Sequence, residues 1–191
     1  DAPAPSGLTA ETLTLQNVSL RRNGSEETAA RGITFTVRQG EILVAAGERE
    51  VRDALAVVAA GLERPRQGDV YLGRVNAAAL SQREICGNIV LLGGDLPFPR
   101  GTVRENIAAG LPWITDYAVM ESASDALLHQ SILQRKSGYD TPVDTLSKGE
   151  QILLEFACAF ARGTPFLICN GLTGWLDADT EDRLIRTLRR R

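Results

Sequence analysis

Leu146-Ser147-Lys148-Gly149-Glu150-Gln151 is the stretch on which the reading of this chain turns. Ser147 followed three residues later by Glu150 is the pattern of a reciprocal helix cap, in which each side chain takes a backbone N–H that the first turn leaves unpaired. The apolar run Ile152 to Ala161 follows at once, so a helix is predicted from Ser147 through Arg162. Beyond it, Phe166 to Cys169 reads as a buried strand, then comes Gly174-Trp175-Leu176-Asp177, and Asp179 to Leu188 reads as a final helix. Ser137-Gly138-Tyr139-Asp140-Thr141-Pro142-Val143 leads into the cap from the other side.

Further upstream the periodicity changes. Leu13, Leu15, Val18 and Leu20 alternate imperfectly with polar residues and predict a strand over Thr12 to Leu20. Asn23 to Gly32 is polar and loop-like, Ile33 to Val37 predicts a second strand, and Gln39-Gly40 a turn. Ile42 to Ala46 is a short apolar run, as expected of a buried strand in a parallel sheet. A helix is predicted over Ala54 to Leu62, and strands over Asp69 to Leu72 and Ile89 to Leu92. Thr102 to Ala109 opens a mostly helical stretch that runs to about Gln134. Strands alternating with helices imply an α/β core carrying a helical insertion. The core is expected over 1–92 and 163–191, with a linker at 1–8, and the helical lobe over 95–162.

The bulk numbers fit that picture and exclude others. A chain of 191 residues that is 43% hydrophobic supports one domain with two lobes and a real core. A net charge of -3 argues against a nucleic-acid partner, and the local basic end Arg186, Arg189, Arg190 and Arg191 reads as a solvated helix terminus. Cys86, Cys158 and Cys169 are odd in number and far apart in apolar surroundings, so three buried thiols are expected rather than a disulfide or metal site. His129 is the single histidine, which leaves no support for a zinc cluster or a Ser-His-Asp triad. No run approaches the roughly 18 apolar residues of a membrane span. Asp1 to Gly7 reads as a linker left from a longer parent chain.

The order of these segments resembles the nucleotide-binding domain of ATP-binding cassette (ABC) transporters of the exporter type. Residues 146–151 resemble the family's LSGGQ signature, and Gly174 to Asp177 its D-loop, with Asp177 as the loop aspartate. Gly40-Glu41 looks like the approach to the phosphate loop, and Gln67-Gly68 with Val70 to Gly73 like the strand after that loop's helix. Leu96-Pro97-Phe98-Pro99-Arg100-Gly101-Thr102-Val103-Arg104-Glu105-Asn106-Ile107 is similar to the exporter segment after the Q-loop. The resemblance implies a P-loop NTPase-like ABC ATPase core with an antiparallel β edge and a helical subdomain.

What it implies for the site is loss. A working phosphate loop is G-x-x-x-x-G-K-[ST], in which glycines let backbone N–H groups wrap the phosphates, Lys reaches the β and γ phosphates and the hydroxyl holds magnesium. Here the stretch is Gly47-Glu48-Arg49-Glu50-Val51-Arg52-Asp53-Ala54, one residue short, with only the first glycine kept. Arg52 falls near the lysine position and Asp53 near the serine, and Glu48, Glu50 and Asp53 bring negative charge where phosphates would sit. Arg21-Arg22 replaces the adenine-stacking aromatic, and Gly94 in Gly93-Gly94-Asp95 takes the Q-loop glutamine's place, with Asp95 read as a turn residue. The Walker B pair, Asp then Glu, becomes Asn170-Gly171: an amide supplies no anionic metal ligand, and glycine has no base. The switch histidine is expected on a strand beyond Arg191.

The signature is better kept. Ser147 and Gly149 match, while Lys148 replaces a glycine and Glu150 the glutamine. In the family's sandwich dimer this helix start caps ATP held by a partner domain. Lys148 would favour that contact and Glu150 oppose it, and the same residues also read simply as a capped helix. The resemblance therefore implies a pseudo-ATPase half of an exporter on the cytoplasmic side of a membrane. Its partners would be a transmembrane domain, touched around Pro97 to Asn106, and a second, competent nucleotide-binding domain. ATP and Mg2+ come with the family, but this chain alone is not expected to bind them, and two such loops speak against a homodimer clamped by ATP. Two rival readings remain open: an atypical ATPase in which Arg52 and Asp95 take over the phosphate and metal roles, and a scaffold that binds only protein.

Overall fold

The computed structural model describes residues 9–22, 27–93, 98–171 and 175–190. Contacts divide these into two compact units: residues 9–91 with 164–170, and residues 92–163 with 171–190.

The first unit is built on a four-stranded antiparallel sheet in the order β2-β1-β3-β4, with β1 Thr12–Arg21, β2 Thr28–Arg38, β3 Gln67–Leu72 and β4 Val75–Asn76. The imperfect alternation of β1 has a structural cause. Its register with β2 slips between Leu15↔Phe35 and Val18↔Ile33, and its register with β3 slips between Gln16↔Asp69 and Ser19↔Gln67. Asn17 sits at this bulge with φ 49°. One extra residue shifts the phase, so Leu13, Leu15, Val18 and Leu20 all face the core although they do not keep strict period two. Gly68 lies against the bulge with φ 83°, and a Cβ there would stand 2.4 Å from the Asn17 carbonyl oxygen, so only glycine fits. β2 is an edge strand and opens at Thr28, earlier than the expected loop through Gly32, because pairing with β1 extends to Arg21↔Thr28.

Helix α1, Arg49–Ala59, packs on β1 and β2 and adds Ala54, Val58 and Ala59 to the core that holds Leu13, Leu15, Val18 and Leu20. It starts five residues before the predicted Ala54, since its first turn is polar and shows no apolar period. Helix α2, Gln82–Asn88, is capped reciprocally by Ser81 and Glu84. β5, Ile89–Leu92, and β6, Phe166–Cys169, form a separate two-stranded sheet. The expected buried strand Ile42 to Ala46 is not formed. Ile42, Leu43 and Val44 are exposed, Val44 at 84%, and no strand pairs with them. An apolar run signals readiness for burial, but it does not by itself decide whether the segment pairs as a strand, and here the outer edges of the β5–β6 sheet are left without it.

The second unit is helical. Its helices are α3 Val103–Ala108, α4 Asp116–Asp125, α5 His129–Leu133, α6 Lys148–Arg162 and α7 Ala178–Leu188. α6 is its axis, packing against α3 and α4 and burying Ile152, Leu153, Leu154, Phe156, Ala157, Ala159 and Phe160. It ends at Gly163 in the left-handed conformation. The mostly helical stretch expected from Thr102 to about Gln134 is divided into α3, α4 and α5, with Ala109 and Leu127 at positive φ between them. Among the described residues, no helix is long and apolar enough to cross a membrane.

Candidate nucleotide-type site and signature

Gly47 precedes α1 with φ 149°, and Glu48 is the residue at which the helix begins. The side chain of Glu48 makes no capping hydrogen bond, so the first N–H groups of α1 have no side-chain acceptor at that position. Arg52 is exposed one turn in. The carboxylates of this stretch have partners from elsewhere in the unit. Glu50 Oε2 lies 3.4 Å from the guanidinium of Arg22, at the end of β1, and Arg22 also lies 3.8 Å from Glu27. Asp53 Oδ2 lies 3.6 Å from Arg49 Nε one turn back, and Asp53 Oδ1 accepts a 2.9 Å hydrogen bond from Asn170 Nδ2. The Asn170 contact joins residues 117 apart in sequence. It brings together the two residues that the resemblance would set at the serine position of a phosphate loop and at a metal carboxylate after β6. Gly171 follows with φ 70°, a conformation any side chain would strain.

Elsewhere in this unit, an open groove of about 380 Å3 runs between the end of α1 at Gly61, β3 at Val70 and α2 at Ile85, and none of the phosphate-loop positions line it.

In the helical unit the expected helix cap is formed. Ser147 is the N-cap of α6: its Oγ accepts from Glu150 N at 3.3 Å, and Glu150 Oε2 accepts from Ser147 N and Oγ, both at 2.9 Å. The same Glu150 oxygen takes a 2.7 Å ion pair from Arg135, just after α5, which no local pattern signalled. Burial works against charge on Glu150, but the hydrogen bonds from Ser147 and the Arg135 guanidinium outweigh it and hold the carboxyl below its ordinary range. The charge that would oppose a phosphate is thus answered within the unit. Lys148 opens α6, and a Cβ on Gly149 would meet the Trp175 carbonyl oxygen at an ordinary 3.5 Å. Asp177 is the N-cap of α7; its carboxylate accepts from Thr180 N at 2.9 Å, and that backbone bond is the first reason its carboxyl titrates low. The cap was readable from Asp177 standing three residues before Thr180.

The described part of the segment that the resemblance sets after a Q-loop, Phe98 onward, is anchored rather than loose. Thr102 caps α3 reciprocally with Glu105, and a Cβ on Gly101 would stand 2.6 Å from Glu105 Oε2. Buried Asn106 donates to the carbonyls of Thr102 and Pro99 at 2.9 and 3.3 Å. Arg104 reaches Asp116 and Asp140 and lies over the Tyr139 ring, whose hydroxyl is 2.7 Å from His129 Nδ1. His129 is therefore a packing residue of this unit. Gly94, Asp95, Leu96, Pro97 and Gly174 lie outside the described residues.

The cysteines depart from expectation. Cys86 and Cys169 are exposed, Cys86 on the face of α2 away from buried Ile85 and Cys169 at the last position of β6; Cys158 alone is largely enclosed, and burial pushes its thiol up to about 12. The described residues hold no His, Cys, Asp and Glu group arranged to bind a metal ion.

No family model matches the chain. Individual proteins do. It is 26% identical over 171 residues to the putative ABC transporter ATP-binding protein MG015 of Mycoplasma genitalium, covering 87% of this chain and 29% of that protein. It is 30% identical over 195 residues to antigen peptide transporter 2 of Homo sapiens, covering 95% of this chain and 28% of that protein. A solved bacterial Atm1-family ABC exporter with ATP bound superposes with a TM-score of 0.86 at 22% identity, covering 100% of this chain and 34% of that one. The chain thus spans about a third or less of each of these three proteins. Sequence kinship and fold agree: the chain is a homologue of ABC transporter ATP-binding proteins and carries the nucleotide-binding-domain fold of their exporters.

Proposed function

We propose that this domain is a catalytically silent half of an ABC exporter, coupling a transmembrane domain on the cytoplasmic side of a membrane to a second, competent nucleotide-binding domain. The observation that carries the reading is Asn170-Gly171 at the end of β6. Hydrolysis needs a carboxylate to support magnesium and a base to orient water, and an amide followed by glycine supplies neither. The residues present do not fit magnesium-ATP. Asp53 is engaged by Asn170 and Arg49, the first turn of α1 carries Glu50, and Arg52 offers one exposed charge in place of a wrapped lysine. The signature supports the partner half of the proposal: Ser147 and Gly149 are kept at the start of a well-capped helix, and Arg135 answers the charge of Glu150.

Isothermal titration of the domain with Mg-ATP tests the reading. No heat up to about millimolar nucleotide, a binding free energy weaker than about -4 kcal/mol, is expected. Micromolar binding that Arg52→Ala abolishes would replace it with an atypical ATPase. Association with a candidate partner that ignores ATP would replace it with a protein-only scaffold.

A further inference from the structure

The positions that the resemblance assigns to nucleotide and metal are filled by side chains of the domain itself. A carboxylate only accepts hydrogen bonds, so the Asn170 amide facing it must present its NH2 group. That bond takes Asp53 Oδ1 at 2.9 Å, while Oδ2 faces Arg49 at 3.6 Å, so both carboxylate oxygens are committed. At the other end of the stretch, Glu50 holds Arg22 at 3.4 Å. Both contacts involve α1, and all their partners belong to one unit. They tie the helix to the residue after β6 and to the residue after β1.

Building on the silent-site reading above, we propose that this region is a self-liganded joint: Asp53 and Asn170 replace the metal as the link between helix and strand end, and the unit holds its shape without nucleotide. The Arg22–Glu50 pair is exposed and contributes little by itself. The half-buried Asp53–Asn170 hydrogen bond is the structural link, because a lost partner there leaves a carboxylate facing a group that cannot donate.

The test is thermal unfolding of the full chain, followed by circular dichroism in metal-free, nucleotide-free buffer. Asn170→Asp sets two carboxylates against each other and should lower the melting temperature by roughly 3–6 °C. Adding Asp53→Asn exchanges donor and acceptor and should recover most of that loss. An unchanged melting temperature in Asn170→Asp, or no recovery in the double variant, overturns the joint. If Asn170→Asp does not fold, Asn170→Ala, Asp53→Ala and their combination replace it. Losses smaller together than summed support the joint, and additive losses overturn it. This outcome is separable from the silent-site reading. Coupling between the two residues together with tight Mg-ATP binding would keep the joint and sink that reading. Absence of both would do the reverse.

Discussion

At the scale of single residues, the informative events are exchanges of charge for hydrogen bonding. Glu150 is one: its carboxylate, where the resemblance expects an amide, is held by Arg135 and Ser147. Its folded carboxyl lies below the ordinary 4.5, so its contribution to stability is present above that value and is lost as pH falls through the folded value. Glu150→Gln should cost about 1 kcal/mol near neutrality. It should also flatten the acid side of the stability profile, from neutrality down through the ordinary 4.5 and below. Urea unfolding of both proteins across that range checks this; parallel profiles would show that Glu150 does not carry the slope. Such partners were not legible beforehand. Arg135 and Glu150 are 15 residues apart, Asp53 and Asn170 117, and nothing local in either stretch announces the other. The proposed losses, Asn170-Gly171 and the shortened loop, rest on departures from the pattern that the resemblance supplies.

At the scale of elements, legibility followed local chemistry. α6 was readable from end to end: a Ser-x-x-Glu cap, an apolar run, then a glycine with φ 62°. Leu154 is fully buried in it, so Leu154→Ala should cost about 2–5 kcal/mol. Ser147→Ala should cost only about 1 kcal/mol. Denaturant midpoints of the two variants rank packing against capping, and a reversed order would contradict the central place of α6 in its unit. β1 was readable as a strand but not in its phase, since a bulge shifts the pattern without a signature stronger than Asn17. Ile42 to Ala46 misled, because composition reports affinity for the interior and is silent on whether the run pairs with a neighbouring strand.

At the scale of the whole molecule, the same run becomes a surface property. Ile42, Leu43 and Val44 are consecutive, apolar and exposed at 54%, 48% and 84%. Exposed apolar runs of this kind drive association. The chain should self-associate as concentration rises, and Val44→Lys should reduce that association while shifting the melting temperature by no more than about 2 °C. Light scattering across a dilution series checks it, and identical curves for both proteins would mean the run is inert. The division into two units also shapes what can be seen by eye of a spectrometer. Both tryptophans, Trp113 and Trp175, belong to the helical unit, and both are already more than half exposed. Their emission starts close to that of indole in water, so it changes little when that unit melts and reports nothing when the sheet unit does. Tyr71, on β3, is the only aromatic chromophore beyond phenylalanine among the described residues of the sheet unit. Optically the protein is one-sided: a fluorescence melt that looks flat describes the placement of two indoles, and the folding of the sheet must be followed through its backbone.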